Sequence, residues 1–98
     1  MIRSVSIHEL VESELNDAID FYESKVKGLG LTFLAEVERA TKFIQQFPEA
    51  SPQILNVIRK KVIRNFPYSI MYSIVGDSVR ILSVAHQKRR PYYWHSRK

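Results

Sequence analysis

A chain of 98 residues with 45% apolar and 11% aromatic side chains has material for one small core, and it is too short for two. It holds no cysteine, which excludes a disulfide scaffold, a thiolate metal site and a thiol nucleophile. The formal charge of +5 is divided unevenly: residues 1–56 carry −4 and residues 57–98 carry +9, which points to a polyanionic or acidic partner for the second half.

The first predicted element is a strand over residues 2–7, rich in β-branched side chains. Ser6 and Glu9 then have the spacing of a capping box, which predicts a helix. Its apolar face is Val11, Leu15, Ala18, Ile19, Tyr22 and Val26, while the acids from Glu9 to Glu23 read as a solvated face. Gly28 suits a C-terminal cap. A second helix is expected over 31–47, with Phe33, Val37, Ala40, Ile44 and Phe47 on one face and Pro48 ending it. So short a linker makes the two helices an antiparallel hairpin. From Val57 the period changes to two, giving strands over 57–64, 68–75 and 79–84, joined at Asn65-Phe66-Pro67 and Gly76-Asp77. The expected fold is α+β: an N-terminal strand, a helical hairpin and a three-stranded antiparallel meander, with the helices on one face of the sheet and the whole of 1–98 as a single domain. Residues 87–98 have no apolar period and read as a basic tail. No apolar run reaches signal-peptide or membrane-spanning length, so the expectation is a cytoplasmic protein without a membrane partner.

Two constellations can carry chemistry. In an extended strand Arg59 and Lys61 point to one face and Lys60 and Arg64 to the other, so the four cannot line one groove; on an edge strand such lysines would serve only to block sheet pairing. The second constellation is His86, Lys88, Arg89, Arg90, Tyr92, Tyr93, Trp94, His95 and Arg97, where basic groups alternate with aromatics as in proteins that grip single-stranded nucleic acid. The alternative for Tyr93 and Trp94 is that they fold back and close the core. His86, at a strand end, has the chemistry of a general acid or base near pH 7. The three histidines have no zinc-ligand spacing and the three glycines form no phosphate loop, so neither metal nor cofactor is expected.

The sequence resembles the RelE/ParE superfamily of type II toxin-antitoxin toxins, also called plasmid stabilisation proteins, and its ParE-like branch most. The resemblance runs through Ile19-Asp20-Phe21-Tyr22-Glu23, Gly28-Leu29-Gly30, Phe33-Leu34-Ala35-Glu36-Val37, Phe47-Pro48-Glu49-Ala50, Ile58-Arg59-Lys60, Phe66-Pro67-Tyr68-Ser69-Ile70-Met71-Tyr72 and the stretch from Val84 to Trp94. It implies the fold derived above and an acidic antitoxin whose C-terminal segment wraps the toxin. RelE-type members, which cleave mRNA on the ribosome, place an arginine after the tyrosine that opens the penultimate strand; here that position is Ser69, and Gln87 follows His86. ParE-type members poison DNA gyrase without a catalytic site. The resemblance therefore implies a gyrase inhibitor, with Arg59, Lys61, Arg64, Lys88, Arg89, Arg90 and Trp94 binding target or antitoxin. The alternative is a metal-free mRNA interferase acting through Lys60, Arg64, His86, Arg89 and Tyr93, and a further alternative is a nucleic-acid-binding domain without toxicity.

Overall fold

The computed structural model describes residues 3–97, in the order β1 (Ser4–Ile7), α1 (Glu9–Lys25), α2 (Leu29–Gln46), β2 (Gln53–Leu55), β3 (Ile58–Val62), β4 (Tyr68–Val75) and β5 (Ser78–His86). Ile2, expected in the first strand, and Lys98, expected in the basic tail, lie outside the described residues. The five strands form one sheet in the order β1-β5-β4-β3-β2. Strands β3, β4 and β5 make the expected antiparallel meander, and β1 lies parallel to β5 with Ser4 opposite Ser78 and Ile7 opposite Ile81.

Helix α1 starts later than the capping box predicts. Ser6 is still in the β1–β5 ladder, and the His8 N–H donates to Ile81 O at 2.9 Å, so the chain stays extended until His8. His8 is the N-cap, its Nδ1 accepting from the Leu10 N–H at 3.1 Å. At the far end Val26 is the C-cap in extended conformation and is exposed, so it does not belong to the apolar face. Gly28, expected to close α1, is the N-cap of α2 at φ 88°, a left-handed conformation that a Cβ would strain. Having no side chain, it leaves the first amides of α2 to Glu23, whose two carboxylate oxygens accept from the Gly28 and Gly30 N–H groups at 2.9 and 3.0 Å. A negative charge at a helix N-terminus is favourable electrostatically as well. Helix α2 therefore begins two residues before the expected Leu31 and ends at Gln46, one before Phe47.

Both helices pack on one face of the sheet. The core there joins Val11, Ala18, Phe33, Val37, Ala40 and Ile44 to Ile63, Ile70, Tyr72, Val79, Ile81 and Val84, with Leu15, Ile19 and Tyr22 at its margin. Gly30 lets the helices approach closely, since a Cβ at that position would sit 2.8 Å from Ile19 O. The Tyr72 hydroxyl, in the middle of this core, donates to Pro48 O at 2.6 Å and so fixes the end of α2 over the sheet. Phe47, placed on the helix stripe by spacing, is exposed because the helix has already ended.

Three strand assignments differ from the sequence reading. Strand β2 was not anticipated: three residues are too few for a period, and its partner is reached through a turn at Asn56, which adopts φ 51°. Strand β3 is shorter at both ends than 57–64, and β2 flanks it, so it is not the edge strand that a blocking role for its lysines would require. Strand β5 runs two residues beyond Val84, to His86, and the register shifts between Met71 and Tyr72 on β4, where Met71 faces Ser83 and Tyr72 faces Ile81. The skipped Leu82 is a bulge that keeps Leu82 on the face away from the helices while Ile81 and Val84 stay in the helix-side core.

Candidate interaction surface and basic pocket

The face of the sheet away from the helices is covered in part by the chain after β5. Met71, Leu82, Ala85 and Trp94 form a second apolar cluster, with Ile54, Leu55, Ile58 and Tyr93 packed against it. Trp94 is only 2% exposed, so it is a core residue here and its indole is not available for target or antitoxin contact as the resemblance implied. The described part of the tail, expected as a basic extension, is an ordered strap instead. Turns carry it: the His95 N–H donates to Tyr92 O and the Arg97 N–H to Trp94 O, each at 3.0 Å, with Tyr92 at φ 60°.

What fastens the strap is an acid taken as part of a solvated face. Strand β1 ends opposite Ile81, which leaves the far half of β5 without a partner strand on that side. Glu14 Oε1 accepts from the Val84 N–H at 3.2 Å, and Arg97 donates to Leu82 O at 2.9 Å, so α1 and the strap satisfy that edge together. Arg97 also donates to Glu14 Oε1 at 2.9 Å, with both side chains about 10% exposed. The Tyr93 hydroxyl donates to Glu14 Oε2 at 2.6 Å and lies 2.8 Å from Ser83 Oγ, itself 3.2 Å from Glu14 Oε1. A signal for this existed in the sequence: Glu14 is three residues from Val11 and four from Ala18, and so shares their helix face. Tyr93, an expected catalytic candidate, is thereby engaged structurally.

Burial, reinforced by the hydrogen bond to Glu14, raises the Tyr93 phenol above the usual range, while Ser83 and Arg89 oppose the rise. A phenol whose folded-state value is raised adds stability below its unfolded value, near pH 10, and loses it as pH climbs through the folded value. Thermal stability should therefore fall as pH rises above about 10, and Tyr93→Phe should flatten that fall. Melting curves across the alkaline range check this; an identical alkaline slope in the variant would contradict it.

Beside the strap lies a pocket of about 240 Å³, lined by Lys60, Ser69, Met71, His86, Arg89, Arg90 and Tyr92, among others. Lys60 reaches it because β3 puts Lys60 opposite Met71, on the helix-free side. The His86 Nδ1 accepts from the Lys88 N–H at 3.0 Å, so in the neutral ring the proton sits on Nε2 and the lone pair is occupied. His86 also meets the edge of the Tyr68 ring at a centroid separation of 5.0 Å. Arg89 stacks on Tyr93, its guanidinium 4.1 Å from the ring centroid, while Lys88 and Arg90 are exposed. Ser69, which also lines the pocket, is 1% exposed, and its hydroxyl has no hydrogen-bond partner among the described residues. Leaving such a group unpaired costs about 1–3 kcal/mol.

Arg59, Lys61 and Arg64 lie on the helix side. Arg59 donates to Glu49 O at 3.0 Å and Ser51 O at 2.7 Å, which commits it to holding the loop between α2 and β2. Lys61 lies over the Phe43 ring at 4.2 Å. Arg64 joins Lys61 around Phe43, not Lys60 as strict alternation predicts: β3 stops at Val62 and the chain turns through Asn65 at φ 69°. Here Phe43, Phe47 and Val62 are exposed, and the two phenylalanine rings are 5.4 Å apart. Lys60, Arg89 and Arg90 thus line a pocket on one face of the sheet, and Lys61 and Arg64 border an apolar patch on the other.

Residues 5–91 match the family described as the ParE toxin of the type II toxin-antitoxin system, parDE. The chain belongs to the ParE toxin family. Proteins named Toxin ParE2 from two strains of Mycobacterium tuberculosis are 27% identical over 92 residues, covering 93% of this chain and 88% of each relative. In fold the ParE chain is similar to one from the chromosomal ParDE TA system from P. aeruginosa, with a TM-score of 0.74 and 18% identity over 87% of this chain and 96% of that one. The ParE-type toxin fold read from the sequence is thus the fold observed, with β2 added. Among the described residues of this ParE toxin no group of three or more His, Asp or Glu side chains is placed to hold a metal, and no helix is long and apolar enough to cross a membrane.

Proposed function

We propose that this ParE-family toxin acts in the cytoplasm by inhibiting DNA gyrase through binding alone, and that a cognate acidic antitoxin restrains it. The observation that carries the non-enzymatic reading is His86: its Nδ1 lone pair is held by the Lys88 N–H, and a ring protonated on Nε2 has no free base to offer. Ser69 supports the same reading, because a serine in place of the arginine expected of an mRNA-cleaving relative supplies no cation over a scissile phosphate. Exposed Lys88, Arg89 and Arg90 form the cationic surface offered to the target.

The patch around Phe43, Phe47, Val62, Lys61 and Arg64 suits the antitoxin, since an acidic segment laid across it would bury apolar rings and pair carboxylates with the two cations. Association with the antitoxin should slow as salt rises.

The test is expression without antitoxin of the unaltered protein and of folded His86→Gln and Arg89→Ala/Arg90→Ala variants, scored for growth, SOS response, gyrase supercoiling and mRNA ends. Toxicity should survive in the histidine variant and weaken in the double variant, with an induced SOS response and uncut mRNA. Loss of a general acid or base typically costs about 10² to 10⁴ in rate. Abolished toxicity in His86→Gln, with mRNA cut in phase with codons, would overturn the reading in favour of an mRNA interferase.

A further inference from the structure

We infer that the pocket beside the strap is a phosphate-binding site, in which Lys60, Arg89, Arg90 and the Ser69 hydroxyl receive a single phosphate group without cleaving it. The site shares Arg89 and Arg90 with the surface proposed for the target, but phosphate binding can be measured on the isolated protein whatever that target is.

Two observations converge on it. First, the pocket brings together cations that are far apart in sequence: Lys60 from β3, and Arg89 and Arg90 from the strap. Among the described residues no carboxylate lines it, so none of them neutralises this charge locally. Second, the Ser69 hydroxyl lines the same pocket, nearly inaccessible and without a partner, whereas the other fully buried serine hydroxyl, that of Ser83, is satisfied by Tyr93 and Glu14. A donor left idle beneath clustered cations matches an oxyanion, which accepts hydrogen bonds and compensates charge together. The volume, about 240 Å³, suits one phosphate group and part of what bears it. The same chemistry is presented by a free phosphomonoester and by the backbone of a nucleic-acid strand. In the second case the exposed Tyr92 ring at the pocket rim provides a stacking surface for the neighbouring base.

The experiment is an amide NMR titration of the full chain at fixed ionic strength, using inorganic phosphate, thymidine 5′-monophosphate and an oligothymidine without terminal phosphates. The expected result is saturable shifts confined to the pocket residues. They should weaken about tenfold in Ser69→Ala, the equivalent of one hydrogen bond to a charged group. Lys60→Met should weaken them comparably, and Lys25→Gln, remote at the end of α1, should leave them unchanged. Binding of the monoesters alone assigns a nucleotide or free phosphate; binding of the oligothymidine as well assigns the strand backbone. Both support the site. Shifts spread over all basic residues, shifts indifferent to Ser69→Ala and Lys60→Met in variants with native-like spectra, or no shift with any of the three probes would overturn it.

Discussion

Trp94→Ala should lower the free energy of unfolding by about 3–5 kcal/mol, the range for removing a buried Trp or Phe from a packed core. The indole is 2% exposed and is the largest side chain of the cluster it forms with Met71, Leu82 and Ala85. Its loss opens a cavity that the sheet cannot close by collapse, because β4 and β5 are held from the other face by Ile70, Tyr72, Ile81 and Val84. Denaturant titration followed by far-ultraviolet circular dichroism measures the effect, since the variant lacks the chain's single tryptophan fluorophore. A loss below about 1 kcal/mol would mean that the strap is not seated on the sheet as described.

Glu14→Ala should be comparably damaging, about 3–5 kcal/mol, the range for breaking a buried ion pair by removing one partner. The carboxylate receives Arg97, the Val84 N–H, the Tyr93 hydroxyl and Ser83, so its removal leaves the Val84 amide without this acceptor and takes the countercharge from a largely buried guanidinium. Arg97→Ala should cost less, because Glu14 keeps its other donors. The two variants and their double form a mutant cycle. Strictly additive losses would show that Glu14 and Arg97 do not stabilise each other.

Of the residues behind these two expectations, Trp94 follows the alternative in which it folds back to close the core, whereas Glu14 was placed on a solvated face. The periodic elements were legible: Val11 to Tyr22, Phe33 to Ile44 and Tyr68 to Ile74 announce their helices and strand because each buries one face continuously. What was not legible depends on contacts between distant segments. Glu14 reads as one of a series of helix-surface acids until β5 is seen to run past the end of β1, leaving an amide at Val84 for it to bind. Tyr93 and Trp94 read equally as an aromatic-basic tail or as a closure of the core, because the strap that buries them has no period of its own to decide between the two. The pocket followed the same rule. Lys60, His86 and Arg89 were each singled out, but the idle hydroxyl of Ser69 was visible only once its neighbours across the sheet were known. Arg59 went the other way, since an exposed cation and one bound to two loop carbonyls look identical in a sequence.

The parallel pairing of β1 with β5 has a consequence for how the protein is made. The first strand leaves the ribosome early, yet its ladder partner is the last strand, and Glu14 closes on Arg97, 83 positions further along. Neither contact exists in a partly synthesised chain, and loop closure over such spans makes folding slow compared with a protein built from local contacts. The helical hairpin can form during translation, but its apolar face stays uncovered until the meander arrives. Synthesis must thus have passed the strap before the basic pocket acquires its shape, so products interrupted earlier carry Lys60 without the arginines and the fold that set it beside them.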